Sequence, residues 1–288
     1  MKIRELFDKK TVFSFEVFPP KKTSSIETVY KTLEELEGLT PDFISVTFSA
    51  GGSGNSALAL DIASKIKESN AVEPMIHLPC INYSRKEISE VLTELNQRGI
   101  ENILALRGDI NPDIEPKNEF RYASDLVSFI KEHGEYDIAA ACYPEGHMEA
   151  EDIISDIHNL KKKVDAGASH LISQLFFDNE VFYRFQEKAK IAGIDVPIEA
   201  GIMPVTNKNQ IERMVSMCGA SLPAKFVKVM QKYEHSPEAL RDAGIAYAIN
   251  QMVDLIANGV DGIHLYTMNN AYVAKRITEA VSSLIENR

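Results

Sequence analysis

Polar residues recur where short β-rich runs of this chain end. They are Glu16, Thr47, His77, the tripeptide Arg107-Gly108-Asp109, Tyr143 with Glu145 and His147 just beyond it, Gln174 and Tyr266. One such residue says little; their convergence from seven runs is the signal. Glu16 stands between Phe15 and Phe18. A carboxyl group among aromatic rings loses hydration, which raises its pKa and suits it to act as a general acid. A strand-end glutamate paired with an arginine would read the same way. Asp109 follows Arg107 and Gly108, and a glycine there lets a backbone N–H approach a ligand closely; a turn with an internal ion pair is the plain alternative. His77 and His147 lack HExxH or any similar metal spacing, so no metal is expected, and each also fits as a hydrogen-bonded core histidine.

A second pattern follows the fifth run. Ile153, Ile157, Leu160 and Val164 repeat at the spacing of a buried helical stripe. Asp152, Asp156, Asn159 and Lys163 repeat one position earlier, which places a polar row about 100° around the helix, bordering the buried face. A solvated face produces such a row, and Lys161-Lys162-Lys163 looks like one. The alternative is a groove for a long polar ligand, with lysines for phosphates and acids for hydroxyls.

The elements that must position these residues form one recurring unit. The β-rich runs are Val12–Phe18, Phe43–Phe48, Met75–Leu78, Ile103–Leu106, Ile138–Tyr143, His170–Phe176, Ile198–Ile202 and Gly262–Tyr266, each followed by a longer helical stretch. Their starts lie 31, 32, 28, 35, 32, 28 and 64 residues apart, and about 30 residues accommodate a strand, a helix and two loops. Runs such as Ile103–Leu106 and Ile138–Tyr143 are continuously apolar, as in parallel strands covered on both faces. Gly99, Gly167, Gly193 and Gly259 each precede a strand, where a left-handed residue ends the preceding helix. Eight such units predict one TIM (β/α)8 barrel over residues 1–288, whose site lies at the C-terminal ends of the strands. A doubly wound open sheet is the main rival, but the first strand runs into Phe18-Pro19-Pro20-Lys21 and no GxGxxG occurs. The long gap before the last strand predicts inserted helices around Asn207–Met217, Leu222–Gln231 and Pro237–Ala257, a wall or lid over one face.

The 288 residues are 44% hydrophobic and 25% charged, which excludes disorder as the main state. The formal charge of −11 argues against a nucleic-acid or anionic-membrane partner. Cys80, Cys142 and Cys218 are scattered, with no CxxC pair, and fit a reducing compartment. The start of the chain has no secretory apolar region, and the longest hydrophobic run, Ile138–Tyr143, is far below the ~18 residues of a membrane span. A cytoplasmic location is expected.

The segments FSFEVFPPK, SVTFSAGG, LALRGD, YASDLV, CYPEGH, NLKKKVDAGA, ISQLFFD, GIMPVTN and LYTMN resemble the motifs of methylenetetrahydrofolate reductases, in the family's order from Phe13 to Asn270. The resemblance implies a barrel that binds FAD non-covalently. It implies a ping-pong reaction in which NADH or NADPH reduces the flavin, which then reduces 5,10-methylenetetrahydrofolate to 5-methyltetrahydrofolate, a step of one-carbon metabolism towards methionine. Glu16 resembles the general acid that opens the imidazolidine ring to a 5-iminium cation, and Asp109 the carboxylate whose charge favours that cation. Gln174 resembles a residue facing both substrates; Gln210 and Tyr266 resemble further folate contacts. Thr47, Phe48, Ala50, His77, Arg107, Gly108, Asp109, Tyr122, Ala123, Tyr143, His147, Ala150, Asp156, Asn159, Lys162 and Lys163 resemble the FAD shell. A homo-oligomer is a family habit.

Three positions depart from the family pattern. Met214 stands where some members carry a stacking aromatic residue, Asn270 where some carry an arginine facing the folate tail, and Lys162 where arginine is frequent, which keeps the charge but loses the bidentate fork. Two other readings compete: a phosphate-binding barrel lyase or isomerase, and a non-catalytic barrel that binds folate or a partner protein.

Overall fold

The computed structural model describes residues 1–20, 25–48, 55–68, 72–110, 115–207, 209–210 and 218–286. Eight parallel strands close in sequence order into a barrel: β1 (Val12–Val17), β2 (Phe43–Val46), β3 (Glu73–Pro79), β4 (Asn102–Leu106), β5 (Asp137–Cys142), β6 (His170–Ser173), β7 (Ile198–Ile202) and β8 (Gly262–Tyr266). The described helices are α1 (Ile26–Glu37), α2 (Asn55–Glu68), α3 (Arg85–Gln97), α4 (Ala123–His133), α5 (Ile153–Asp165), α6 (Asn179–Ile191), α7 (Ala224–Tyr233), α8 (Pro237–Ala257) and α9 (Ala271–Ile285). The rival open sheet is excluded by closure: β1 pairs with β8 from Val12 opposite Gly262 to Glu16 opposite Tyr266.

Strand alternation sorts the side chains into two cores. Phe13, Phe15, Val17, Ile76, Leu78, Ile103, Ala105, Ile138, Ala140, Ile263 and Leu265 point outwards into the layer shared with the helices. Val12, Phe43, Met75, Leu104, Ala139 and Ile172 point inwards and meet Ile3, Leu6 and Phe7 of the N-terminal segment. That segment is a floor for the barrel. It is pinned by strand-start side chains: the Ile3 N–H donates to Asn102 Oδ1 at 3.0 Å and the Arg4 N–H to Asp137 Oδ2 at 2.8 Å. The floor leaves the strand C-terminal ends as the open end of the barrel.

The helices begin and end where the sequence signals them. Ser84 and Glu87 form a reciprocal capping box at the start of α3. Gly99, Gly167, Gly193 and Gly259 all have positive φ, between 68° and 121°, the left-handed stop read from the sequence. β1 and β5 end one residue sooner than expected, and two strands end sooner still. β2 stops at Val46 and β6 at Ser173, so Thr47, Phe48 and Gln174 begin loops, although the Thr47 N–H still reaches Val17 O at 3.0 Å and the Gln174 N–H reaches Cys142 O at 2.7 Å.

The insertion before β8 is smaller than expected. α8 places Ile245, Ala248, Met252 and Leu255 in the main core, so it is the ring helix that follows β7, not part of a lid. Its Gly244 permits this approach: a Cβ there would lie 1.7 Å from Val205 O. α7 is the extra element. Its Phe226 and Met230 pack with Leu175, Phe177, Val205 and Leu240 in a separate small core. The expected helix around 207–217 falls almost wholly outside the described residues.

Candidate active site

Glu16 occupies the last inward position of β1, above Ser14. Its carboxylate Oε2 lies 3.7 Å from His77 Nε2 on β3 and 3.8 Å from His264 Nε2 on β8, with 18% of the side chain exposed. The sequence reading placed Glu16 among aromatic rings, and the structure corrects this. Phe15 faces the opposite side of the strand, in the helix-covered layer, because successive strand residues alternate. Imidazoles and a phenol surround the carboxyl group instead, and no arginine pairs with it among the described residues. Burial drives the His77 pKa down to about 4, although the Glu16 charge pulls the other way. His77 is therefore a neutral ring at pH 7, and its Nε2 has no hydrogen-bond partner among the described residues.

Tyr266 lies opposite Glu16 in the β1–β8 register and its hydroxyl donates to Ser173 O at 2.9 Å. Gly201 on β7 makes room for it: a Cβ at Gly201 would sit 2.2 Å from Ser173 O and 2.9 Å from the Tyr266 ring. Burial, with the Glu16 charge adding to it, holds the Tyr266 phenol well above its ordinary pKa, so it stays a donor. The backbone beneath the acid is tied from the segment just after β8. Thr267 Oγ1 donates to Glu16 O at 2.6 Å. Asn269 Nδ2 donates to Phe18 O at 2.8 Å, and the Phe18 N–H donates back to Asn269 Oδ1 at 3.1 Å. Met268 and Asn269 adopt φ of 52° and 53°, strain of about 1 kcal/mol or more each that this clamp holds in place.

A second group gathers at the ends of β4 and β5. The Arg107 guanidinium forks onto Glu149, at 2.5 and 2.7 Å, and holds that carboxylate below its usual range. Asp109 is exposed and close enough to contribute to the raised pKa of Tyr143, which burial chiefly lifts to about 12. The Tyr143 and His147 rings meet edge to face at 4.6 Å. The His147 N–H donates to Asp156 Oδ2 at 3.2 Å, and the Glu149 N–H donates to His147 Nδ1 at 3.1 Å.

The polar row on α5 divides. Asp152 is the N-cap, accepting from the Ser155 N–H at 2.7 Å. Asp156 is buried, and burial raises its pKa. Lys163 reaches inward: its Nζ donates to Ala141 O at 2.8 Å and lies 5.8 Å from the Tyr143 ring centroid, and burial lowers its pKa against the pull of Asp156. Asn159 and Lys162 are exposed and bond to each other at 3.0 Å. The row is thus neither wholly solvated nor wholly buried.

The remaining expected residues stand as follows. Thr47 is half-buried and Phe48 buried, its ring 6.3 Å from Tyr83. Tyr122 is exposed at the start of α4, with Ala123 buried behind it, and Ala150 is half-buried, donating its N–H to His147 O. Gln174 is half-buried and its Oε1 accepts from the Leu175 N–H. Gln210 Oε1 accepts from the N–H groups of Thr206 and Asn207 and from Thr206 Oγ1, so that oxygen shapes the β7 loop. Asn270 caps α9, accepting from the Val273 N–H at 3.2 Å, a local reason for asparagine at that position. Ala50 and Met214 lie outside the described residues. Residues that sequence reading missed are Ser14, Glu199 and His264, buried inside the barrel, and Thr267, Asn269 and Glu149. A carboxylate inside a β-run, as in Ile198–Ile202, was the available signal for Glu199.

Among the described residues no group of three or more His, Cys, Asp or Glu side chains could hold a metal ion, and no helix is long and apolar enough to cross a membrane. A surface groove lined by Leu92, Asn96, His133 and Tyr136 borders the residues just before β4 and β5, away from the strand C-terminal ends, and assembles no comparable set of groups.

Fold and site together define a (β/α)8 barrel with a floor at one end and a mouth lined with titratable groups at the other. Comparison with known proteins narrows this class. The chain belongs to the methylenetetrahydrofolate reductase family, whose model matches residues 2–282. It is 38% identical over 264 residues to the 5,10-methylenetetrahydrofolate reductases of Pectobacterium carotovorum and Escherichia coli, covering 92% of this chain and 88% of each relative. It is 36% identical over 275 residues to methylenetetrahydrofolate reductase (NADH) 1 of Arabidopsis thaliana, covering 90% of this chain but 46% of that longer protein. Among solved structures, an uncharacterized protein from Clostridium thermocellum that binds two copies of 5-methyl-5,6,7,8-tetrahydrofolic acid superposes with a TM-score of 0.67 over 98% of both chains, at 14% identity, a likeness of fold.

Proposed function

We propose that this protein reduces 5,10-methylenetetrahydrofolate to 5-methyltetrahydrofolate at the barrel mouth, with non-covalently bound FAD and with NADH or NADPH as donor. The observation that carries the reading is Glu16, a partly shielded carboxyl group at the only inward strand end where two imidazoles converge on one carboxylate among the described residues. The residues at the mouth fit a flavin. His77 offers a neutral ring with an unpartnered buried Nε2, matching a heteroaromatic carbonyl or ring nitrogen. The β5–α5 side offers Lys163 and Lys162 for a pyrophosphate, and Asp156 and Asn159 for ribose or ribityl hydroxyls. FAD, when bound, supplies the hydride acceptor and donor that side chains lack.

The chain's own part is binding, orientation and proton transfer. Glu16 gives its proton to the folate ring nitrogen that must leave before the methylene carbon becomes an electrophile. Asp109 lends negative charge near the cation so formed. Gln174 and Tyr266 bound the substrate side, while the Arg107–Glu149 fork and the Thr267 and Asn269 ties fix the loops that carry these groups. The rival phosphate-binding reading needs open N–H groups after β7, but Gln210 Oε1 already accepts those of Thr206 and Asn207. Cys80, Cys142 and Cys218, which form no disulfide among the described residues, support a reducing, cytoplasmic setting, with small molecules as partners.

Glu16→Gln tests this assignment because the two half-reactions differ in their need for an acid. A positioned general acid contributes about 10²–10⁴-fold. The variant should accept hydride from the nicotinamide donor at a comparable rate and lose at least about 100-fold in the folate step, each followed by rapid-mixing absorbance. Equal loss in both steps would make Glu16 a structural support of the cofactor, and no loss in the folate step would assign the acid elsewhere.

A further inference from the structure

Directly beneath the mouth lies a titratable group that the reaction described above leaves unused. Glu199 on β7 is fully buried. Its Oε1 lies 3.0 Å from Ser14 Oγ, and the same hydroxyl lies 2.7 Å from His264 Nδ1. The other ring nitrogen, His264 Nε2, lies 3.8 Å from Glu16 Oε2. Neither His264 Nε2 nor Glu199 Oε2 has a hydrogen-bond partner among the described residues. Room for the buried carboxyl comes from Gly262, where a Cβ would lie 2.7 Å from Glu199 Cγ.

We infer that Glu199, Ser14 and His264 form a proton relay that loads Glu16 from inside the barrel, with Glu199 as the store. This rests on the reading of Glu16 as the acid. Each conversion of methylenetetrahydrofolate consumes a proton, and a substrate seated over the mouth covers the water-facing side of Glu16. The relay approaches from the opposite side. Glu199 gives its carboxyl proton to Ser14 Oγ, Ser14 passes its own hydroxyl proton to His264 Nδ1, and His264 releases the Nε2 proton to Glu16. Glu199 ends as a carboxylate, Glu16 as a carboxylic acid, Ser14 is unchanged, and His264 has exchanged one neutral tautomer for the other. The last transfer requires the 3.8 Å separation to close to hydrogen-bond length. When product leaves, Glu16 takes a proton from water and the chain runs backwards to refill Glu199.

The surroundings suit a stored proton. Burial, then the charges of Asp42 and Asp261, push the Glu199 pKa well above the carboxylate range, against the Ser14 hydrogen bond. Asp42 is itself paired with Lys10. The other titratable groups that bear on the relay are Glu16, His77 on β3, His170 on β6 and Tyr266 on β8.

Two measurements on the intact protein decide this. Long-range proton–nitrogen spectra of histidine-labelled protein should show His264 with Nε2 protonated and Nδ1 as acceptor, in wild type and in Glu199→Gln, whose amide can still donate to Ser14. Ser14→Ala should shift the Nδ1 resonance. A protonated Nδ1 in the wild type, or no response to Ser14→Ala, overturns the relay. In the kinetic arm, Glu199→Gln should slow the folate step at least about 10-fold at pH 8, a fraction of what a whole acid contributes. The deficit should shrink towards pH 6, where solvent loads Glu16, while the nicotinamide step and the folate Kd stay unchanged. A loss equal at every pH, or no loss, contradicts it. Should the wild type prove unable to reduce methylenetetrahydrofolate, the proposed function fails, whereas the nitrogen resonances still decide whether the relay exists.

Discussion

His77 makes the site sensitive to acid in a way that can be calculated. Its ring is buried and titrates near 4 in the folded protein, whereas an exposed histidine in the unfolded chain titrates near 6.5. Below pH 6.5 the unfolded chain binds a proton that the folded one refuses, so the unfolded state gains. The His77 contribution is therefore complete above pH 6.5 and drains as the pH falls from 6.5 towards 4. At 1.36 kcal/mol per pKa unit the full effect is roughly 3 kcal/mol, of which about 2 kcal/mol is lost between pH 7 and 5. The perturbation is His77→Asn, which removes the titration. Equilibrium urea unfolding of both proteins at pH 7 and 5 gives the double difference, in which other acid-sensitive groups such as His170 cancel. The wild type should lose about 2 kcal/mol more than the variant. Because the Glu16 charge opposes the burial effect on His77, Glu16→Gln should extend the loss to lower pH. Identical pH dependence in wild type and His77→Asn would refute the buried neutral ring and, with it, the site's proton inventory.

Other outcomes follow from the same geometry. Lys163→Met should weaken FAD binding roughly 10- to 150-fold in an equilibrium titration, from the 1.5–3 kcal/mol of a charge-assisted hydrogen bond; unchanged affinity would assign Lys163 to packing against Ala141 and Tyr143 alone. Gly201→Ala forces a methyl group against Ser173 O and the Tyr266 ring, and should cost roughly 3 kcal/mol of unfolding free energy. A fully stable variant would show that Tyr266 does not cross the barrel beside Gly201.

Much of the fold was legible because the β-α unit repeats with a steady period and the stops of α3, α5, α6 and α8 each carry a left-handed glycine. In the sequence α8 reads as part of the insertion because it lies in the long gap before β8, whereas its buried Ile245, Ala248, Met252 and Leu255 mark a ring helix. At the site, strand-end residues such as Glu16 and His77 could be named because a barrel exposes only that end. What surrounds Glu16 was not legible. Phe15 and Phe18 are its neighbours along the chain, but His77 and His264 come from strands distant in sequence and meet it only through barrel closure. The same holds for Ser14 and Glu199, 185 residues apart and joined by one hydrogen bond. On α5, spacing predicted the shared row, but not that Lys163 would turn inward to Ala141 while Lys162 stays outside.

The proposed function stands on flavin-dependent reduction of methylenetetrahydrofolate at this mouth. Its most direct test mixes purified protein, FAD and NADH or NADPH with 5,10-methylenetetrahydrofolate, and quantifies folate products by chromatography alongside the visible flavin spectrum. The bound-flavin spectrum should bleach with the nicotinamide donor and recover on adding the folate, with 5-methyltetrahydrofolate formed in proportion to donor consumed. A protein that binds no flavin, or one that bleaches and does not recover with the folate, would contradict it.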